Sequence, residues 1–220
     1  MIDPVRPKTW LHNSGMSVLL ILLIAIVFVI PVVAPNVANR NLLWDVLLAL
    51  ILISGIAAVA EHRKLAIVLA LLSAIVIALA VSEWLAPAWR ARELRSLATL
   101  GAFLVLAIAV GINVFAFGHA ISDRVFGAVV LYLLLGVLWA VAYQLLARLS
   151  PGAFAGPTDA GGELAEWAYF SFVTLTTVGY GDITPVALGA RSLAILEALV
   201  GQLYPAVIIA RLVSLQVGSK

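Results

Sequence analysis

The chain has 220 residues, of which 64% are hydrophobic and only 11% are charged, and its formal net charge is +2. A soluble domain averages about 45–50% apolar and about 25% charged residues, so this composition indicates an integral membrane protein. The basic residues are spread singly along the chain, which excludes the clustered basic surface of a nucleic-acid-binding protein. The absence of cysteine excludes disulfides and thiolate metal sites.

Six apolar runs are long enough, or nearly so, to cross a bilayer core, which takes about 17–25 helical residues. Residues 1–118 are expected to form an N-terminal block of four spans, and residues 119–220 a second unit built on spans five and six. The first run is longer than a signal-peptide core, so we interpret it as a retained span. The sequence thus predicts an all-α integral membrane protein with six transmembrane helices, near residues 17–35, 42–60, 65–82, 97–117, 125–148 and 191–214.

The segment between spans five and six differs from an ordinary loop. Residues 150–157 are rich in turn-forming residues and cannot continue a helix. Glu163 to Leu175 then predicts a helix about 20 Å long, too short to span the bilayer. At membrane depth such a re-entrant helix survives only where protein surrounds it. Glu163 and Glu166 in its first turn complement the helix dipole, whose opposite end directs partial negative charge inward, which favours a dehydrating cation.

Residues 176–182 read Thr-Thr-Val-Gly-Tyr-Gly-Asp and follow this short helix directly. Gly179 and Gly181 tolerate dihedral angles that other residues rarely adopt, so successive carbonyl oxygens can replace the hydration shell of an ion. Thr177 can add a ring of hydroxyl oxygens below those carbonyls. A sequence of this kind, in four copies, forms a potassium selectivity filter. The segment resembles the filter of the potassium channel superfamily.

The resemblance covers about residues 123–215 and implies a potassium-selective channel made of four identical chains in the cell membrane. K+ is then the permeant ion, and no organic cofactor or soluble ligand is expected. Basic residues are nearly balanced between the two sides, so the cytoplasmic position of both termini rests on the resemblance. The ion-coordinating strand that it implies is Thr177, Val178, Gly179, Tyr180 and Gly181, with K+ at the first four.

Residues around this strand match the family in part. Thr176 and Thr177 correspond to the paired threonines at the inner end of the filter, and Asp182 to the acid at its outer mouth. Many relatives brace the filter with two pore-helix tryptophans, and Tyr169 and Phe170 stand at those positions here. Tyr169 can still hydrogen-bond to Asp182, whereas Phe170 offers the filter no donor. Val173 replaces a carboxylate found in some relatives, so the resemblance implies a thinner and more apolar bracing network.

Three residues of span six are candidates for gating or for lining the cavity. Gly201 falls where relatives have a hinge glycine, since a residue without Cβ lets a helix bend. Pro205 stands one turn later and can kink the helix. Both residue types are also common packing residues in membrane helices, which is the alternative. Gln202 has a position suited to the cavity.

Glu197 is the one acidic residue deep within span six. An ionisable group at that depth is costly and is a functional candidate by default. Three interpretations stay open. The carboxylate raises cation occupancy in the cavity, it titrates as a proton sensor, or it hydrogen-bonds the pore helix or span five, with Ser171 and Thr174 as candidate partners.

The fourth span predicts little voltage sensing. Voltage sensors repeat arginine at every third position, because moving charges across the field supplies the energy of gating. Residues 97–117 contain no charge, and Arg92 and Arg95 lie only at the entrance of the span. We therefore expect a channel that is not gated by voltage.

Other polar residues of the N-terminal block offer few clues. Asp45 and Asn113 are expected to pair across helices, as polar residues in membranes often do. His12, His62 and His119 form no metal-ligand spacing and are expected to be solvated.

The alternatives to this function are a voltage- or pH-modulated potassium channel and a non-conducting subunit of another channel. An enzyme is not favoured, because the apolar spans carry no Ser/His/Asp set, histidine pair or carboxylate cluster.

Overall fold

Long apolar helices make up most of the chain that the computed structural model describes, namely residues 10–33, 40–85, 89–115, 121–156 and 163–217. The elements in chain order are α1 (Trp10–Ile24), a π-helix (Ala25–Val29), α2 (Ile30–Val33), α3 (Arg40–Ala58), α4 (Arg63–Leu85), α5 (Trp89–Phe115), α6 (Ile121–Leu149), β1 (Phe154–Ala155), α7 (Leu164–Leu175), β2 (Thr184–Pro185) and α8 (Leu188–Val217).

Each predicted span overlaps one long helix or, for the first span, the continuous run of α1, the π-helix and α2. Within the described residues, five apolar segments are long enough to cross a membrane: Gly15–Val33, Arg63–Glu83, Arg92–Phe115, Asp123–Leu149 and Leu188–Ser214. The prediction of a mainly helical, multi-pass membrane protein is confirmed. The sixth helix, Leu42–Ala58, falls short of that length, so the count of six crossings stays a prediction.

The structure also departs from the sequence prediction at the ends of helices and in one loop. Helix α5 begins at Trp89 rather than near residue 97, because charged residues continue a helix readily once it leaves the apolar layer. Two short strands, absent from the predicted all-α fold, pair antiparallel with Phe154 opposite Pro185.

A π-helix interrupts the first span one turn before Pro31. Proline has no N–H and its ring crowds the carbonyl four residues earlier, here that of Val27. A wider turn relieves this crowding, and the N–H of Ile30 bonds instead to the carbonyl of Ala25. The wider turn therefore has a local cause in the sequence.

Helices α5 and α6 form the centre of the packed chain. About half of the apolar segment of each is buried, 50% in α5 and 56% in α6. Only five residues separate the two helices, so they pack as neighbours. The first and fourth spans, α1 and α5, thus pack against the fifth span of their own chain. The buried core between the helices includes Phe103, Leu106, Val110, Leu134 and Val137.

Two further contacts join the N-terminal helices to the later ones. The ring of Phe28, in the π-helix, lies 6.2 Å from the ring of Phe172 in α7. In a second contact, Arg211 Nη2 in α8 donates to the carbonyl of Phe115 at 2.6 Å. The two parts of the chain therefore touch through α7 and through the C-terminal part of α8.

The polar side chains of the N-terminal helices are paired differently from the prediction. Arg95 bonds Asp45 at 2.8 Å and Glu83 at 3.1 Å. Asn113 Oδ1 lies 2.7 Å from His62 Nε2. Asp45 and Asn113 therefore do not pair with each other, because they lie at opposite ends of the helices, and His62 is not simply solvated. The side chains of His12 and His119 lie outside the described residues.

Candidate ion-conducting site

Helix α7 carries the candidate site and begins and ends where the sequence predicts. Glu163 precedes its first turn with extended backbone angles, and Glu166 lies in that turn. On its buried face, the hydroxyl of Ser171 lies 2.8 Å from the carbonyl of Gly136 in α6. A Cβ at Gly136 would overlap the ring of Phe172. Close approach of α6 and α7 therefore depends on this glycine.

Phe170 is buried and packs against aromatic side chains of α6 and β1. Its ring lies 4.8 Å from Tyr143 of α6 and 5.6 Å from Phe154 of β1, both in edge-on geometry. Trp167 completes this aromatic cluster, 4.9 Å from Phe154. Edge-to-face aromatic packing stabilises such a cluster beyond the area it buries. Phe170 thus anchors α7 to α6 and to β1.

The backbone of residues 176–179 folds back onto the end of α7. Thr177 N donates to the carbonyl of Thr174 at 2.9 Å, and the carbonyl of Val173 accepts from Val178 N at 2.9 Å and from Gly179 N at 3.3 Å. Val173 thus supports the segment through its backbone. Within the described residues, no protein donor bonds the carbonyl oxygens of residues 177–181. These oxygens are therefore available to a ligand.

Alternate residues of this strand have positive φ. The angles are +61° at Thr177, +60° at Gly179 and +80° at Gly181. When neighbouring residues alternate in this way, successive N–H groups turn to one side and successive carbonyls to the other. A Cβ at Gly179 or Gly181 would meet nothing within 4 Å, so the dihedral angle and not space requires glycine. Thr177 adopts the same region as a β-branched residue, which is strained.

Tyr169 and Asp182 form the outer end of the site. The Tyr169 hydroxyl donates to Asp182 Oδ2 at 2.7 Å, which is the bond expected from the sequence, and Ile183 N donates to Oδ1 at 3.0 Å. The bond from Tyr169 is the main cause that lowers the pKa of Asp182, and the same bond raises the pKa of Tyr169. Tyr169 also stacks on Tyr180, with ring centroids 6.5 Å apart. The outer end therefore carries a carboxylate at neutral pH.

Strands β1 and β2 fasten the segment after Asp182 to the loop after α6. The carbonyl of Ala153 accepts from Val186 N at 2.8 Å and from Ala187 N at 3.1 Å. Gly156 has φ +135°, and a Cβ there would overlap the carbonyl of Asp182. Two-residue strands leave no hydrophobic alternation in a sequence, so only the glycine and proline content hinted at a turn.

Helix α8 brings two of the candidate residues of span six to the filter segment. Gln202 Nε2 donates to Thr177 Oγ1 at 3.2 Å. Gly201 is buried, and a Cβ there would overlap the carbonyl of Leu175 at the end of α7. Close packing of α8 against α7 therefore explains why residue 201 is glycine, and this explanation does not require a hinge. Pro205 lies within α8 and is exposed.

Glu197 lies one turn before Gly201 on the face of α8 that packs against α7, and it has no exposed surface. Its carboxyl oxygens lie 2.5 Å from the Tyr143 hydroxyl and 2.5 Å from Ser171 Oγ. The interpretation of Glu197 as a cavity residue is therefore wrong. The hydrogen-bonded alternative agrees with the structure, with Ser171 rather than Thr174 as the pore-helix partner and Tyr143 as a partner that the sequence did not indicate.

A family model described as "Ion channel" matches residues 127–217. Protein LctB of Bacillus caldotenax is 39% identical over 101 residues, which cover 43% of this chain and 75% of LctB. Two pore potassium channel c of Oryza sativa subsp. japonica is 41% identical over 73 residues, or 32% of this chain and 14% of that protein. The chain belongs to the potassium channel superfamily.

The family model matches the C-terminal part of the chain. Protein LctB of Geobacillus stearothermophilus is 43% identical over 80 residues, which cover 34% of this chain and 59% of that protein. The matched residues 127–217 include most of α6, together with α7, residues 176–182 and α8. No solved structure matches the chain. Membership of an ion channel family implies transport rather than enzymatic chemistry.

Proposed function

We propose that four copies of this chain form a potassium-selective channel, with residues 119–220 as the pore domain and residues 1–118 as an N-terminal helical block. The observation that carries this proposal is the alternating positive φ at Thr177, Gly179 and Gly181. With that alternation, the carbonyls of a short strand share one side and can replace the hydration shell of K+. The coordinating groups are Thr177, Val178, Gly179, Tyr180 and Gly181.

Exposed polar groups on an apolar surface support the assembly into a tetramer. All residues from Thr176 to Asp182 are exposed in the single chain, as is Gln202. Around them, α8 exposes Ile195, Leu199, Leu203 and other apolar residues. Polar backbone facing lipid would cost several kcal/mol per group. Other copies of the chain around a hydrated axis satisfy both kinds of surface, and one strand per chain requires four chains to close a filter.

The charges at the two ends of the strand favour a cation. The C-terminal end of α7 lies at Thr176 and carries the negative end of the helix dipole. Asp182 places a carboxylate at the opposite end. In a tetramer both features occur four times around one axis. Cations are thus attracted to the mouth and stabilised at the inner end.

The N-terminal block supports a channel that is not voltage-gated. Arg95, at the start of the fourth span, is held by Asp45 and Glu83. The described part of that span beyond it, residues 97–115, has no charged side chain. We propose that the protein lies in the cell membrane with both termini cytoplasmic, since the filter mouth then faces outward.

Ion flux from purified protein in liposomes tests the proposed function. The wild type is expected to pass K+ and to exclude Na+. Gly179→Ala is expected to abolish flux while the tetramer still assembles, because a positive φ disfavours alanine and no neighbouring atom is displaced.

Gly189→Ala is the matched control for this substitution. A Cβ at Gly189 also meets nothing within 4 Å, but its φ is not positive, so flux should persist. Selective flux through Gly179→Ala would remove the filter assignment. Assembled wild-type protein without any flux would favour a non-conducting subunit.

A further inference from the structure

The carboxyl group of Glu197 occupies a buried junction of α6, α7 and α8, directly behind the helix that leads into the filter. Three short contacts meet there. Tyr143 OH lies 2.5 Å from Glu197 Oε2, and Ser171 Oγ lies 2.5 Å from Oε1. Ser171 Oγ also lies 2.8 Å from the carbonyl oxygen of Gly136. The three contacts link side chains from all three helices in one line.

The number of protons that these three contacts need determines the protonation state of Glu197. Each of the three contacts needs one proton between its two oxygens. Tyrosine and serine hydroxyls supply one proton each, and the Gly136 carbonyl supplies none. An ionised carboxylate only accepts, so three contacts would share two protons. A protonated Glu197 supplies the third proton, and every contact becomes a hydrogen bond.

We propose that Glu197 is a positioning residue that works in its protonated form. Tyr143 donates to Oε2, the carboxyl proton on Oε1 is donated to Ser171 Oγ, and the Ser171 proton is donated to the Gly136 carbonyl. This chain of bonds fixes α7 against α6 and α8 at Ser171, four residues before the end of α7. The proposal rests on the proposed function, because α7 is the helix that positions the filter segment.

In the described part of the chain, the groups bonded to Glu197 carry no counter-charge that would favour ionisation. The titratable groups that interact with it from α6 are Tyr132 and Tyr143. From α8, Tyr204 stacks on Tyr132 with centroids 5.6 Å apart and donates to the carbonyl of Ala128. Among the described residues, no lysine, arginine or histidine bonds to Glu197. A buried carboxylate without a paired cation is costly.

Loss of the carboxyl proton should therefore weaken the filter support. An ionised Glu197 leaves two facing acceptors at one of the three contacts and an uncompensated charge behind α7. We expect K+ flux of the wild type in liposomes to fall as pH is raised into the alkaline range. Glu197→Gln should keep its flux over the same range, because the amide N–H donates to Ser171 and the amide oxygen accepts from Tyr143.

Two further variants separate the bonding role from the charge. Glu197→Ala and Tyr143→Phe each remove part of the chain, and flux at neutral pH should fall about tenfold or more in the alanine variant and less in the phenylalanine variant. Glu61→Gln removes an exposed carboxyl outside the spans and is the matched control. It should keep the wild-type pH profile. Equal losses in Glu197→Gln and Glu197→Ala would overturn the proposal.

An infrared measurement tests the proton directly and does not require ion flux. The carbonyl stretch of a protonated carboxylic acid is distinct from that of a carboxylate. The reconstituted wild type should show this band at neutral pH, Glu61→Gln should retain it and Glu197→Gln should lose its buried component. No difference between wild type and Glu197→Gln would overturn the proposal. Equal K+ and Na+ flux would instead remove the filter assignment and leave the protonated Glu197 intact.

Discussion

Helices α4 and α8 are equally exposed in the single chain and differ in what they expose. In each, only 17% of the residues in the apolar segment are buried. After Arg63 and Lys64 at its start, the exposed face of α4 is apolar, and its serines Ser73 and Ser82 bond carbonyls of their own helix at 2.7 and 2.8 Å. The exposed face of α8 includes Gln202, which bonds Thr177 of the equally exposed filter segment.

This difference assigns the two surfaces to different surroundings. An apolar helix can face lipid when its hydroxyl groups hydrogen-bond to its own backbone. The unbonded backbone carbonyls of residues 177–181 cannot face lipid in the same way. The face of α8 beside them therefore needs other protein and water. Exposure in a single chain therefore identifies a subunit interface only when the polar groups on the surface are considered as well.

Among the substitutions that test this difference between α4 and α8, we expect one at Gly201 in α8 to have the largest effect. Gly201→Ala places a Cβ against the carbonyl of Leu175, which is backbone and cannot rotate away. We expect it to lower the free energy of unfolding in detergent by about 3 kcal/mol, as overpacking of a rigid site does. Thermal unfolding of the purified protein, together with K+ flux, measures this effect.

Gly101→Ala in α5 is the control for this prediction. The nearest atom to a Cβ there is Leu72 Cδ1 at 3.9 Å, which is ordinary contact. Alanine should be tolerated or stabilise the helix by about 0.5–1 kcal/mol. If both substitutions destabilised the protein equally, the close contact between α7 and α8 at Gly201 would not be the cause of the loss. Normal stability of Gly201→Ala with altered opening would instead restore the hinge interpretation.

The second effect concerns the ion pairs of the N-terminal block. Arg95→Ala leaves the carboxylates of Asp45 and Glu83, which are 27% and 13% exposed, without their partner. We expect a loss of about 2 kcal/mol in the free energy of unfolding. The ratio of K+ to Na+ flux should not change, because these groups belong to the other part of the chain.

Arg92→Ala is the matched control, since Arg92 is exposed on the same helix. It should change stability by no more than about 0.5 kcal/mol. Changed selectivity in Arg95→Ala would show that the N-terminal block acts on the filter. Steep voltage dependence of wild-type flux that Arg95→Ala removed would show that Arg95 senses voltage after all.

The sequence predicted the features that depend on periodicity or on a local motif. Long apolar runs gave the helices, and the two glycines of the filter segment predicted its unusual dihedral angles. Contacts between residues far apart in the chain have no such signal in the sequence. Glu197 meets Tyr143 across 54 positions of sequence, and Asp45 meets Arg95 across 50. A single polar residue in an apolar helix does not reveal which neighbour it faces, because packing decides that.

The smallest effect tests the direct contact between the two parts of the chain. Phe28 and Phe172 lie 6.2 Å apart at 48°, and an aromatic pair of this kind contributes about 1 kcal/mol. Phe28→Ala should destabilise the protein modestly, because Phe28 is 56% exposed. Phe126→Ala removes another exposed ring, one with no ring contact among the described residues, and should have less effect.

A double-mutant cycle with Phe172→Leu isolates the pair from the rest of the packing. Phe172 also supports the filter segment, since its carbonyl accepts from Thr176 N at 3.0 Å and from Thr176 Oγ1 at 2.6 Å. A positive coupling in both stability and K+ flux would mean that the N-terminal helices act on the base of the filter through this contact. Zero coupling in both would confine the influence of the N-terminal block to its packing against α6.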